Sequence, residues 1–334
     1  MKLKQAFLGL IAAGLLATAA RAEVSEVRIS KGFGILYLPL IVMENQKLLE
    51  KHAREAGLGD VKVSWLSLDG GNVINDAMMA GTLDFAGTGA PGFVTLWSKA
   101  KGIPNVEVVG VSGMSSTSLW LNTNKSEIKS LKDFKSSDKI ALPGIKTSLA
   151  AVVLQMIVAK EFGEENYAKL DPLTVSLPHP EALAALVSGK TEINAHFTSP
   201  PFQYIEAKSP NVHRVLSSTD YLGNITLDVT FAPKKFVDAN PKMTQAFIDA
   251  LDEANGLIAK DKKQAAEIFS KSSKVKVEPA DAQEMIEDKD AKFDTTPNGI
   301  MNFADFMHRA GLIKNVPSKW SDMFVPQLAD RKGS

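Results

Sequence analysis

The sequence predicts an α/β protein of two lobes, each a mainly parallel sheet flanked by helices, with a two-stranded hinge between them. Three observations predict it. Short apolar runs of strand length alternate with longer runs whose apolar residues recur every three or four positions, the pattern of parallel strands covered by helices on both faces. Many of the strand-like runs stop at a Gly- or Pro-bearing turn that opens into the next helix. Finally, the 334 residues exceed one core of ordinary size, and a late run, Ile225 to Ala232, alternates apolar and polar positions as an antiparallel strand does.

The start of the chain stands apart. Lys2 and Lys4 give a basic beginning, Ala6 to Ala17 is apolar, and Ala20-Arg21-Ala22 fits small-x-small cleavage before Glu23. The apolar run is shorter than the roughly 20 residues of a membrane span. The expectation is a signal peptide over 1–22, cleaved after Ala22 on export to the periplasm, with no direct membrane insertion. No cysteine occurs, so a lipid-anchor motif, a disulfide framework and thiol chemistry are excluded. The 38 basic and 38 acidic residues balance; losing Lys2, Lys4 and Arg21 with the leader leaves a net charge of about −3. Nucleic acid and anionic membranes want a basic face, so neither is expected as a partner.

Taken in order, Glu26 to Ser30 reads as a strand, followed by a helix from Pro39 to Ala56 closed at Gly57. A second strand, Val61 to Leu68, ends at Asp69-Gly70-Gly71 before helix Val73 to Ala80. A third, Leu83 to Ala86, breaks at Gly87-Thr88-Gly89-Ala90-Pro91-Gly92 before helix Phe93 to Ala100, and Val106 to Val111 is a fourth. These make the first lobe, 23–116, whose last residues, Ser112 to Ser116, read as a flexible polar segment. Strand Thr117 to Asn122 then crosses to a second lobe, 117–224. There strands Lys139 to Leu142, Leu173 to Leu177, Thr191 to Phe197 and Val212 to Leu216 alternate with helices Ala150 to Phe162, Glu181 to Val187 and Pro201 to Lys208. The segment 225–334 returns to the first lobe. Ile225 to Ala232 is expected to pair with Thr117 to Asn122 as the hinge, and the helices after Pro241 are expected to buttress lobe one.

The most informative stretch is Leu142 to Ala150. An apolar strand stops at Pro143-Gly144, Thr147 or Ser148 can cap the following helix, and one side of that helix is apolar. The first amides of a helix have no internal partner and carry the positive end of its dipole, so with Lys146, Thr147 and Ser148 around them they make an anion-ready corner. Gly71 opens a similar corner. Gly87 to Gly92 matches G-x-G-x-x-G letter for letter, but a dinucleotide fold places that motif after its first strand, and Glu107, the next acid, starts a strand rather than ending one. Two readings stay open: a turn that needs positive φ, or a close approach of Thr88, Gly89 and Ala90 to a small ligand.

The five histidines show no metal-ligand spacing, and no G-x-S-x-G elbow exists, so no metal, cofactor or catalytic residue is expected. His179 and His196 are kept as ligand candidates because both fall at C-terminal ends of strands, where open parallel sheets bind. Phe33, Tyr37, Trp120 and Phe197 fall near the same ends, as core or as pocket wall.

These residues resemble a known family. G-F-G-I-L after the first strand, L-x-K-H-A-x-E-A-G-L, N-D-A-M-M-A-G-T-L-D-F-A-G-T-G-A-P, I-A-L-P-G-I-K-T-S and H-P-E-A-x-A-A-L-x-S-G are similar to the periplasmic substrate-binding proteins of nitrate, sulfonate and taurine (NitT/TauT) ABC importers. Those proteins share a fold with thiamine-pyrimidine precursor binding and synthesis proteins. The resemblance implies a type II periplasmic binding protein fold in a monomer that closes on a small organic anion or polar aromatic and presents it to a permease and its ATPase. It implies that Lys146, Thr147 and Ser148, with Thr88, Gly89 and Ala90, hold ligand oxygens. His196 stands where many relatives place Asp or a similar polar residue, and no cleft-facing Arg is evident. The synthase relatives depend on a Cys-rich iron-binding stretch that this chain lacks, so no enzyme is expected; a sensor module binding the same ligand is the alternative.

Overall fold

The computed structural model describes residues 23–68, 70–146 and 148–334. The expected leader and Thr147 lie outside the described residues. The first half-unit runs β1 (Glu26–Lys31), α1 (Leu38–Gln46), α2 (Leu48–Glu55), β2 (Lys62–Ser67), α3 (Gly71–Met79), β3 (Phe85–Gly89), α4 (Ala90–Ala100) and β4 (Val108–Ser116). The second runs β5 (Trp120–Thr123), β6 (Ile140–Leu142), α5 (Leu149–Phe162), β7 (Thr174–Ser176), α6 (His179–Ser188), β8 (Ala195–Thr198), α7 (Phe202–Ala207), β9 (His213–Ser217) and α8 (Ser218–Leu222). The chain ends with β10 (Asp228–Pro233), α9 (Lys234–Ala239), α10 (Pro241–Lys260), α11 (Lys262–Ser272), α12 (Pro279–Glu287), β11 (Lys292–Phe293) and α13 (Ile300–Arg309).

Two sheets result, in orders β2-β1-β3-β10-β4-β11 and β7-β6-β8-β5-β9. Apart from β11 at one edge they repeat one plan: three parallel strands, then one antiparallel strand, then a fourth. In both sheets the antiparallel strand is the one that follows a crossing of the chain. The expected pairing of Thr117–Asn122 with Ile225–Ala232 is therefore not made. Each strand instead fills a two-sided slot in its own sheet, where both edges find ladder partners that an isolated two-stranded ribbon lacks. The crossings still run side by side: Leu227 N–H donates to Ser115 O at 2.9 Å and Ser116 Oγ to Asn224 Oδ1 at 2.5 Å.

Other departures have local causes. Lys47 adopts φ 52°, which splits the expected Pro39–Ala56 helix into α1 and α2. Ser112 to Ser116 is strand rather than flexible segment, because Ser112 Oγ and Thr230 Oγ1 bond each other at 2.6 Å and Ser115 Oγ donates to Leu36 O, so small polar residues fit a buried ladder. Helix α5 is buried on every side from Ala150 to Ala159 rather than along one stripe, since α4 and α13 cover the face that the second sheet does not.

The core of the first sheet centres on Phe85, stacked on Phe247 of α10 at 4.2 Å and edge-on to Phe236 at 5.2 Å. Helix α10 buttresses this lobe as expected, against α1, α2 and β4. The rest of the tail also reaches the second lobe: Lys208 pairs with Asp281 at 2.6 Å, the Tyr204 hydroxyl donates to Asp288 at 2.7 Å, and the Tyr167 hydroxyl to Ala310 O at 3.0 Å. Among the described residues, no helix is long and apolar enough to cross a membrane.

Candidate functional site

Four helices aim their N-termini at one cavity between the sheets. Gly70 and Gly71 begin α3, Gly89 caps α4, Ser148 caps α5, and His179 opens α6; all line a cavity of about 60 Å³, room for a few water-sized groups. The lobes meet closely around it. A Cβ on Gly89 would sit 2.8 Å from Leu149 Cβ of the opposite lobe, and Ile35 N–H donates across to Pro200 O at 3.1 Å. Of the two readings open for Gly87 to Gly92, the turn that needs positive φ does not hold. None of the three glycines has positive φ. Each lacks space instead: Gly87 against Leu40 at 2.6 Å, Gly89 against Leu149, and Gly92 against Gly71 Cα at 3.3 Å. Gly87, Thr88 and Gly89 belong to β3, paired with β10, rather than to a turn.

On the wall from the second sheet, polar groups satisfy one another. His179 Nδ1 bonds His196 Nε2 at 2.8 Å and Thr198 Oγ1 at 3.0 Å, and His196 Nδ1 bonds Glu206 Oε1 at 2.5 Å. Asn122 Nδ2 donates to Glu206 Oε2 at 2.9 Å. His196 and Glu206 are fully buried, and the His179 ring stacks on Phe202 at 5.1 Å. Burial, with His196 beside it, pushes His179 well below the ordinary imidazole range, so the ring facing the cavity is neutral at pH 7. Ser148 Oγ is likewise engaged, accepting from Ala151 N–H at 3.2 Å and donating to Gly144 O.

The wall from the first sheet is different. Asp228, the first residue of β10, lies opposite Gly89 and Ser115 and is 1% exposed. Burial pushes its carboxyl up to about 7, a rise that a hydrogen bond from Tyr37 partly offsets. Among the described residues its Oδ2 has no partner, nor has the buried Thr88 Oγ1 of β3, which also lines the cavity. Among the described residues the lining includes no Lys or Arg, and its titratable side chains are Tyr37, His179 and Asp228.

Phe33, Tyr37, Gly71, Thr88, Gly89, Ser148 and His179 thus come together. Other candidates lie elsewhere. Ala90 is buried behind the cavity with its N–H on Leu227 O. Lys146 is exposed on the β6–α5 loop. Trp120 packs between Tyr204 and the Arg214 guanidinium, each 4.6 Å away. His196 acts only through His179, and Phe197, the next residue of β8, points to the opposite face and joins the core. Sequence reasoning missed Asp228, Ser199 and Leu119. Asp228 did leave a signal: an acid at one of the polar positions of the alternating Ile225–Ala232 run, where its neighbours are threonines.

Known proteins resemble this chain to different depths. The profile of the NMT1/THI5-like family matches residues 54–265. No curated protein matches by sequence. Among solved structures, the alkanesulfonate-binding protein SsuA from Xanthomonas axonopodis pv. citri superposes with a TM-score of 0.69 at 19% identity, over 88% of this chain and 96% of that one. The periplasmic aliphatic sulphonate-binding protein SsuA from Escherichia coli gives 0.66 at 18%, over 90% and 99%. The periplasmic nitrate-binding protein NrtA from Synechocystis gives 0.66 at 15%, over 90% and 84%. At these identities the likeness is one of fold. The expected two-lobed binding-protein fold and the family resemblance are borne out at those levels.

Proposed function

The chain belongs to the NMT1/THI5-like family, and from that premise we propose that it is the solute-binding component of an ABC importer, a periplasmic monomer that captures one small molecule between its lobes and delivers it to a permease and its ATPase. The observation that carries this reading is the convergence of four helix N-termini, two from each lobe, on a cavity that the lobes enclose only together. Each helix end favours an acceptor-bearing solute by about 0.3–1 kcal/mol. With hydroxyl and main-chain hydrogen bonds in a closed cleft, micromolar affinity, about −8 kcal/mol, is within reach. Phe33 and Tyr37 supply aromatic wall for a small polar or aromatic solute. Such a solute touches both walls only when the cleft is shut, so binding shifts the open–closed equilibrium toward the form a permease recognises. The names of the structurally similar proteins, sulfonate- and nitrate-binding, also point to binding rather than catalysis. In this reading 23–116 and 225–334 form one lobe, 117–224 the other, and 1–22 leave on export.

Gly89→Leu tests it, because the added side chain meets Leu149 and holds the cleft open. Thermal shift and calorimetry with nitrate, methanesulfonate, benzoate and small amines should find solutes that stabilise the wild type. Each of those should lose about 100-fold in affinity, about 3 kcal/mol, in the variant. X-ray scattering should show the variant extended with or without solute. Affinity unchanged in Gly89→Leu would overturn the cleft as the binding site.

A further inference from the structure

We propose that the solute carries a nitrogen donor group, a protonated amine or an amidine, and that Asp228 and Thr88 receive it while the helix N-termini hold its acceptor end. This inference rests on the cleft reading and names the class of solute that cleft takes. Its grounds are two buried polar atoms of the first sheet that have no partner among the described residues and whose side chains line the cavity, Asp228 Oδ2 and Thr88 Oγ1. Both residues line the cavity and both are about 1% exposed. A buried acceptor with no donor costs free energy that is recovered when a donor arrives. A carboxylate takes its strongest hydrogen bonds from charged N–H donors, and an amidine offers two such donors in one plane.

Charge sharpens the assignment. Among the described residues no Lys or Arg lines the cavity, and His179 is neutral. A net anion would therefore meet only the helix ends on the favourable side and Asp228 on the unfavourable one. A cation, or a solute with a cationic and an acceptor end, finds both. The Tyr37 hydroxyl orients the Asp228 carboxyl. Tyr37 lines the cavity as a flat aromatic neighbour, whereas the Phe33 ring already carries Lys274 Nζ at 5.3 Å.

Charge-swapped solutes of matched shape test this directly. Acetamidine against acetate, and benzamidine against benzoate, differ little except in the sign of the planar end group. Calorimetry on the full exported chain should show each amidine binding about tenfold or more tighter than its carboxylate partner. Asp228→Asn should erase that gap, and Tyr37→Phe, which leaves the carboxyl in place but unsupported, should narrow it by about twofold to fivefold. Thermal unfolding of both variants confirms that they fold; should Asp228→Asn fail to, Tyr37→Phe carries the test. The proposal is overturned if the carboxylates bind tighter, if no amidine binds, if a folded Asp228→Asn keeps the gap, or if Tyr37→Phe leaves it undiminished. Gly89→Leu separates the two readings. Carboxylates that bind the wild type and are lost in Gly89→Leu keep the cleft and sink the donor assignment, whereas amidines indifferent to Gly89→Leu sink both.

Discussion

On the wall from the second sheet, His179, His196 and Glu206 bond one another in a closed chain, whereas on the wall from the first sheet Asp228 Oδ2 and Thr88 Oγ1 are buried with nothing to bond. In that network, among the described residues, Asn122 Oδ1 is a loose end, and it does not reach the cavity. A satisfied buried network fixes its members in place. An unsatisfied atom costs about 1–3 kcal/mol and is tolerated where something outside the chain completes it. On the proposed function, the contrast assigns shape to one lobe and recognition to the other: the second lobe would bring a satisfied, neutral surface, and the first the groups that select what is bound.

The contrast breaks most visibly at Glu206. Glu206→Ala removes the partner of both His196 and Asn122 in a fully buried setting. It should destabilise the protein by about 3–5 kcal/mol in urea unfolding, with Glu206→Gln costing less because an amide keeps part of the bonding. A loss below about 1 kcal/mol would mean that the network does not hold the second wall.

Asp228 should show the opposite sign. Its folded carboxyl is pushed up to about 7 by burial, while an unfolded one titrates near 3.8. A raised carboxyl favours the folded state fully below the ordinary value, and that contribution is lost as pH rises through 7. Between pH 5 and pH 8 the solute-free wild type should lose roughly 3 kcal/mol from this group. Asp228→Asn has nothing to ionise. It should be the more stable protein, by a margin that widens from pH 5 to pH 8 in urea unfolding. Among the described residues, the titratable groups facing Asp228 are Tyr37, which hydrogen-bonds it, and His179 across the cavity. His179 is held below its ordinary value, so it weakens the fold only on acidification below about 6.5, in wild type and variant alike, and cancels in the difference. A margin that shrinks with rising pH would show that the carboxyl is not held up by burial.

The two walls were not equally legible in the sequence. Helix starts expected at Val73, Phe93, Ala150 and Glu181 fall within three residues of those observed at Gly71, Ala90, Leu149 and His179, because capping and turn chemistry act over three or four residues. Side-chain direction was harder. His196 and Phe197 are neighbours at a strand end, yet alternation sends one to the His179 network and the other to the core, and the sequence alone does not say which. Trp120 looked like pocket wall, but its indole is held by Arg214 and Tyr204, contacts between elements far apart in the chain. Asp228 was hidden by topology. Its strand was expected to pair with Thr117–Asn122, and only its insertion between β3 and β4 carries the acid to the cavity.

The smallest effects make the finest comparison, because Ser148 and Thr88 are both hydroxyl residues on the cavity, one on each wall. Ser148 Oγ spends both of its bonds inside its own helix turn. Ser148→Ala should lose a cap worth about 1 kcal/mol in unfolding. Its affinity for any solute that binds the wild type should move by less than about twofold, since no free hydroxyl is removed. Thr88→Val keeps the side-chain shape and deletes a hydroxyl that has no protein partner. Its stability should stay level or rise by up to about 1 kcal/mol, while affinity for an amidine falls about fivefold to tenfold. The two variants therefore separate along different axes, one in unfolding and one in calorimetry. If Ser148→Ala loses more affinity than Thr88→Val, recognition belongs to the second wall, and the convergent helix ends rather than Asp228 choose the solute.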